Sequence, residues 1–337
     1  MQNDKVLIVG PSWVGDMVMA QCLFKLLKQQ EPSVQIDVLA MDFLHPLLKC
    51  MPEVREAISL SIKHGEFGLG KRYRLGRKLS QQNYNQAIVL PNSFKSALIP
   101  FFARIPQRTG WRGEWRYGLL NDLRILNKQN YPLMIERFVA LGLTQGANLP
   151  DSSSLPQLKV SKKAMELVLK KFGLVLDKPV LALCPGAEYG PAKQWPAEYF
   201  AEVASTKLAE GWQVWLFGSQ RDTKIAQIIQ KDTDHGCVDL TGKTDLGEAI
   251  DLLSLAQAVV TNDSGLMHVA SALNLFIIAI YGSSSPKFTP PLGKKVQVLS
   301  SDIDCSPCFE RECKHGHYRC LRDLNPKLVL ELFAGRV

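Results

Sequence analysis

The sequence has no apolar run long enough to cross a bilayer. The best candidate, ALIPFFA at residues 97–103, is seven residues long and is broken by Pro100, whereas a membrane-spanning helix needs about 20 residues. The opening MQNDK lacks a basic stretch leading into a long apolar one, so no secretory signal is expected and a cytoplasmic location is. In that compartment disulfides are not expected among the 8 cysteines. Cys22, Cys50, Cys184 and Cys237 sit in apolar segments and read as small core residues. Acid is scarce in one region: between Lys63 and Arg124, twelve Lys and Arg residues face only Glu66, Glu114 and Asp122. The first 160 residues hold 20 basic and 12 acidic side chains and the remainder 20 of each, so the formal net charge of +8 lies wholly in the first half. A solvated basic face is the plain reading; a half this basic beside a neutral one also suggests an acidic partner.

What is present is the composition of a globular protein, 46% hydrophobic and 21% charged, and 337 residues suit two domains. Short apolar runs alternate with amphipathic stretches. KVLIVG, VQIDVLA and QAIVLP read as strands, with helices over 15–30 and 94–102. The rhythm breaks at DSSSLPQLKVS (151–161), a linker composition. It then restarts with KPVLALCPG, WQVWLFGS, CVDLTG, AVVTND and FIIAIYG, separated by helices over 197–209, 223–230, 246–255 and 264–272. The expected fold is α/β, two Rossmann-like doubly wound parallel sheets. The expected divisions are 1–155, 156–322 and a final helical segment 323–337 that packs back on the first domain. Ligands of such sheets bind beyond the carboxyl ends of the strands, so strand-to-helix loops are where chemistry is sought.

Three loops stand out. GPSWVGDM (10–17) has the Gly-x-x-x-x-Gly spacing of a phosphate-cradling loop, but Asp16 and Met17 stand where that loop needs Lys and then Ser or Thr. It also lacks the third glycine of a dinucleotide site, which ranks an NAD oxidoreductase last. Asp16 is either a helix-dipole partner or a general base held at a cleft. CPGAEYGPAKQWP (184–196) is a stiff loop that projects Lys193, a candidate for neutralising a phosphate. In TNDSGLMH (261–268), Asp263 or Ser264 is expected to cap a helix whose Gly265, Leu266 and Met267 N–H groups would face an anion; His268 reads as a packed core histidine or a ligand contact.

These segments, with LPNSFKSALIP and RTGWRGEWRYGLLND, resemble the ADP-heptose:lipopolysaccharide heptosyltransferases of glycosyltransferase family nine, which have the GT-B fold of two facing Rossmann-like domains. The similarity runs from the first strand to about residue 292. The resemblance implies an inverting transfer of L-glycero-D-manno-heptose from ADP-heptose to the first heptose of the lipopolysaccharide inner core, at the inner face of a Gram-negative inner membrane. It implies Asp16 as the base and Lys193 on the donor diphosphate. Gly186, Ala187, Glu188, Asp222, Thr244, Asp263, Ser264, Gly265, Leu266, Met267 and His268 would line the donor site. Addition of the first heptose to Kdo2-lipid A is the alternative within the family, and a non-catalytic binder of acidic glycolipid the alternative outside it. The acceptor and the anionic membrane would be met by Lys63, Arg72, Lys95, Arg108, Arg112 and Arg116, with Arg74 and Arg77 adding docking charge. Trp111, Trp115 and Tyr117 are interleaved with arginines there in the manner of stacking platforms, which suits the binder alternative. A monomer is expected, with no nucleic-acid partner.

No catalytic metal is expected. The triplets DTD (232–234) and DID (302–304) follow no clean strand and read as solvated loop acids. In the tail, CSPCFERECKHGHYRC places Cys305, Cys308, Cys313 and Cys320 within sixteen residues. A structural zinc site and four free thiols are equal alternatives there.

Overall fold

A computed structural model describes residues 4–62, 66–150 and 154–334. Lys63, expected to meet the acceptor, lies outside the described residues. The chain divides into two compact units, Met1–Pro156 and Gln157–Val337.

The first unit is built on a six-stranded parallel sheet of β1 (Lys5–Val9), β2 (Gln35–Ala40), β3 (Val54–Ser59), β4 (Gln86–Val89), β5 (Gln107–Trp111) and β6 (Asp122–Arg124), in the order β3-β2-β1-β4-β5-β6. Its central strands are buried on both faces, which is why they read as unbroken apolar runs. Leu7, Ala87, Val89, Ala97 and Ile99 form one core cluster beside the sheet. On helix Val14–Gln30, Leu23 lies where a Cβ on Gly142 would come within 2.4 Å of it. A glycine there lets the helix pack closely against the end of helix Met134–Leu141.

The second unit repeats the plan with β7 (Val180–Cys184), β8 (Gln213–Leu216), β9 (Val238–Asp239), β10 (Ala258–Asn262), β11 (Phe276–Tyr281) and β12 (Val296–Ser300), ordered β12-β11-β10-β7-β8-β9 and again parallel. Leu181, Val260, Ile278 and Leu216 have no exposed surface, and each contributes roughly 1.5–3 kcal/mol by leaving water. The final segment belongs to this core. Leu321, Leu324, Val329 and Phe333 pack with Trp195 and Phe200, and the Trp195 indole N–H donates to Leu324 O at 2.8 Å. The expectation that this segment would join the first domain is therefore corrected: its apolar side chains complete the second unit's hydrophobic layer.

Both sheets reverse their winding beside their first strand, between β1 and β4 and between β7 and β10. At those points successive connections leave to opposite faces and open a crevice at the carboxyl ends.

Candidate active site

At the first reversal, the loop after β1 carries Asp16. Gly10 continues the strand by donating to Leu39 O at 2.9 Å, and a Cβ on it would come within 2.5 Å of Met17 Cε. The glycine thus lets the chain turn beneath Met17. Trp13 stands at the N-cap position and its carbonyl accepts from Met17 N–H at 3.0 Å, which opens helix Val14–Gln30. Asp16 is half-buried in that helix's first turn, where the macrodipole favours a carboxylate.

At the second reversal, the loop after β7 and the end of β10 are tied together. Asn262 is fully buried; its amide donates to Pro185 O at 2.7 Å and its carbonyl accepts from Trp195 N–H at 3.0 Å. Between those anchors Lys193 Nζ donates to Asp263 Oδ2 at 2.6 Å and lies 5.0 Å from the centre of the Tyr189 ring. The pair is largely withdrawn from water, with Lys193 17% and Asp263 5% exposed. Asn262 and Tyr189 were missed by sequence reasoning. The only signal for Asn262 was a polar amide ending an apolar strand, where a buried side chain must find partners.

The cysteine-rich segment braces the same loop. Ala192 N–H donates to Arg311 O at 3.0 Å, Ser283 N–H to Ala192 O at 3.0 Å, Phe309 N–H to Ser283 O at 2.7 Å, and Tyr189 OH to Phe309 O at 2.5 Å. Gly190 has φ +152°, and a Cβ on it would lie 2.5 Å from Arg311 O, so only glycine permits this approach. The four thiols themselves are unpaired. Cys313 Sγ is 4.0 Å from His317 Nδ1, and backbone N–H groups, led by that of Tyr318, lower its thiol's pKa. Burial, aided by the charges of Cys308, Cys313 and Cys305, pushes Cys320 up to about 11. Among the described residues no three His, Cys, Asp or Glu side chains are gathered as a group that could hold a metal ion. Asp232, Asp234, Asp302 and Asp304 of the two acidic triplets are all exposed.

Helix Gly265–Ala272 starts beside Asp263. Ser264 occupies the N-cap position in extended conformation, but no side chain caps the helix. The expected cap is thus corrected: Asp263 is turned to Lys193, and the Ser264 hydroxyl lies 3.4 Å from that of Thr261. The first-turn amides of Gly265, Leu266 and Met267 are left without a capping side chain, the arrangement that receives an anion.

His268 is buried in the next position, 5% exposed, and burial drives its pKa down to about 4; Lys193 lowers it further and Asp263 opposes. The neutral imidazole is therefore the native form. An unfolded histidine takes its proton near pH 6.5, so as pH falls from about 6.5 to about 4 the unfolded chain binds the proton first and stability drops. At about 1.4 kcal/mol per unit the loss is roughly 3 kcal/mol. Urea unfolding of the wild type and of His268→Gln across that window is expected to show the smaller loss in the variant; parallel stability curves would refute the buried neutral histidine.

A second group gathers around Asp222. Its Oδ2 accepts from Ser219 N–H and Ser219 Oγ, both at 2.8 Å. A Cβ on Gly186 would lie 2.4 Å from the Asp222 carboxylate, and one on Gly218 would lie 2.9 Å from its Cβ, so the loops after β7 and β8 close on this residue only as glycines. Gly242 N–H reaches Gly218 O at 2.9 Å and brings the loop holding half-buried Thr244 alongside. Ala187 is buried, whereas Glu188 is exposed and paired with Arg221.

The basic half is sorted differently from its sequence. Arg116 has no exposed surface. It donates to Pro91 O at 2.6 Å, to Trp111 O and to Asn92 Oδ1, and burial lowers its pKa to about 10. Arg72 is 4% exposed, donates to Phe67 O at 2.7 Å and Lys95 O at 3.0 Å, and is likewise lowered by burial. The expectation that these two meet the acceptor is corrected: both side chains are buried and bonded to loops of the first unit, with Arg116 Nε buried without a partner among the described residues. Half-buried Arg108 donates to Leu119 O and Ile105 O, at 2.7 and 2.6 Å. Arg112 is exposed and Lys95 half-buried. Trp111 is also buried, with its N–H on Arg137 O at 3.0 Å, while Trp115 and Tyr117 are exposed.

Comparison with known proteins places these features in a group. The model of glycosyltransferase family 9 (heptosyltransferase) matches residues 72–319. Lipopolysaccharide heptosyltransferase 2 of Salmonella typhimurium is 47% identical over 336 residues, 97% of each chain. The structure of Escherichia coli ADP-heptose lipopolysaccharide heptosyltransferase II aligns with a TM-score of 0.88 at 45% identity, covering 97% of both chains. Lipopolysaccharide heptosyltransferase 1 of Pseudomonas aeruginosa is 24% identical over 324 residues, 92% of this chain and 88% of its own.

Proposed function

The chain belongs to glycosyltransferase family 9 and is a glycosyltransferase, and from that premise we propose that it transfers L-glycero-D-manno-heptose from ADP-heptose to the first heptose of the lipopolysaccharide inner core. The observation that carries the second addition over the first is the gap between 47% identity to a heptosyltransferase 2 and 24% to a heptosyltransferase 1.

Asp16 takes the proton from the acceptor hydroxyl as its oxygen attacks the anomeric carbon. The bond from that carbon to the diphosphate oxygen breaks in the same displacement, which inverts the centre and releases ADP. Charge growing on the departing diphosphate is met by Lys193 and by the amides of Gly265, Leu266 and Met267. When donor binds, the Lys193 ammonium, which has three donors, contacts the diphosphate while keeping its bond to Asp263. Asp263 has its other carboxylate oxygen for sugar hydroxyls. Asp222 and Thr244, on adjoining loops, take the nucleoside end.

The test is to incubate the protein with ADP-heptose and inner-core acceptors bearing no heptose or one. Extension of the one-heptose acceptor, with ADP released in equal amount, is the expected result. Extension of the heptose-free acceptor alone would assign the first addition, and binding without transfer to either would leave a glycolipid binder.

A further inference from the structure

We propose that Tyr189 is a positioning residue for the transfer: its ring holds the Lys193 ammonium where the donor diphosphate meets it, and the cysteine-rich tail holds the ring. This rests on the reading of Lys193 as the cation that receives the diphosphate.

A lysine is poorly suited to that task unaided. Its charge rides on a flexible four-carbon stem, which loses rotamer freedom whenever it is kept in one place. Here two groups keep it there. Lys193 closes the short turn Pro191–Lys193, and Asp263 Oδ2 accepts one of its N–H groups at 2.6 Å, while the centre of the Tyr189 ring lies 5.0 Å from Nζ. The two holds differ in kind. A carboxylate takes up an N–H, whereas an aromatic face attracts the whole charge through its quadrupole. The ring thus steadies the ammonium without being an acceptor that competes with phosphate oxygens for its three N–H groups.

The ring is itself fixed from outside the loop. The Tyr189 hydroxyl donates to Phe309 O at 2.5 Å, and the Arg311 guanidinium lies 5.2 Å from the ring centre. Phe309 adopts the left-handed backbone, φ +57°, that a bulky residue seldom takes. Its N–H donates to Ser283 O at 2.7 Å, and the Ser283 N–H donates to Ala192 O at 3.0 Å. This series of contacts therefore leaves the loop at Tyr189 and returns to it at Ala192, the neighbour of Lys193. The Ala192 N–H is held as well, by Arg311 O at 3.0 Å. Gly282 permits the approach, since a Cβ on it would lie 2.6 Å from Ala192 O, and its own carbonyl accepts from Ser306 Oγ at 2.8 Å. The tail thus fixes both the ring and the turn that carries the lysine.

ADP affinity, measured by calorimetry on the full chain, tests this in a double-mutant cycle. A cation–aromatic contact withdrawn in part from water is worth about fivefold in affinity, so Tyr189→Leu is expected to bind ADP about fivefold more weakly. With ADP-heptose its donor KM should rise and its kcat fall, while the acceptor's KM holds. Tyr189→Met, a second variant without a ring, should behave alike. Tyr189→Phe keeps the aromatic face and should retain most of the affinity. In a Lys193→Ala/Asp263→Asn background, with no ammonium to position and no acid left unpaired, Tyr189→Leu should weaken ADP binding no further. Equal losses in the two backgrounds would make Tyr189 a prop of the loop and overturn the proposal, as would wild-type affinity and turnover in Tyr189→Leu. A protein that shows this coupling in ADP binding but transfers no heptose sinks the enzymatic reading while upholding the positioning.

Discussion

Asp16→Asn is expected to lower turnover by about 10²–10⁴-fold while the dissociation constant of ADP-heptose stays near the wild-type value. The substitution keeps the shape of the side chain and removes its negative charge, and with it the ability to accept a proton. In the first turn of helix Val14–Gln30 the carboxylate charge that the variant loses is worth about 0.3–1 kcal/mol to the helix. Turnover under saturating substrates, with donor binding followed by calorimetry, separates the two roles. Near wild-type turnover would remove Asp16 as the base. A large loss of donor affinity would instead place it on the donor.

Lys193→Ala is expected to act twice. It removes the cation from the departing diphosphate, a loss of about 10²-fold or more in turnover together with weaker donor binding. It also strands Asp263, 5% exposed, without its counter-charge. Breaking a buried pair on one side costs about 3–5 kcal/mol. Pairing the change with Asp263→Asn distinguishes these effects. The double variant should regain most of the melting temperature, since no buried charge is left unpaired, but it should not regain donor affinity. Recovery of both would reduce the Lys193–Asp263 contact to a structural ion pair. A chelator should leave the wild-type rate unchanged, because the cationic work is assigned to the lysine and the helix amides. Strong inhibition reversed by magnesium would contradict that.

How far the sequence could be read depended on burial. Seven of the eight visible strands are apolar runs at the centre of a parallel sheet or beside it; the eighth, β9, is a two-residue edge strand that its neighbours in CVDLTG gave away. The four it did not reveal are of another kind. β3 and β12 are edge strands with mixed burial, β5 begins Gln-Arg-Thr, and β6 has three residues. An edge strand hides only part of itself from water, so its sequence is free to be polar and carries little periodic signal. Helix Leu69–Leu79 escaped notice for a related reason: its inward positions are an arginine, a glycine and a leucine.

The candidate site was legible as a set of loops, not as a set of contacts. Glycine, proline and charged residues just after apolar strands pointed to Gly10–Asp16, Gly186–Lys193 and Asp263–Met267, because the carboxyl ends of parallel strands are where such a sheet opens. Which residue meets which was decided by tertiary structure. Lys193 and Asp263 are 70 residues apart and become partners only because β10 pairs with β7. The cap expected from Asp263 or Ser264 is not made, because Asp263 is aimed at the half-buried Lys193 ammonium and the Ser264 hydroxyl lies by that of Thr261. Basic residues show the division most sharply. Sequence alone determined that the positive charge belongs to the first unit, since composition is additive along a chain. It could not tell Arg74, which stays in water, from Arg116, whose guanidinium is spent on Pro91, Asn92 and Trp111. A guanidinium is buried only where several carbonyls converge to replace its water, and that convergence is a property of the folded loops.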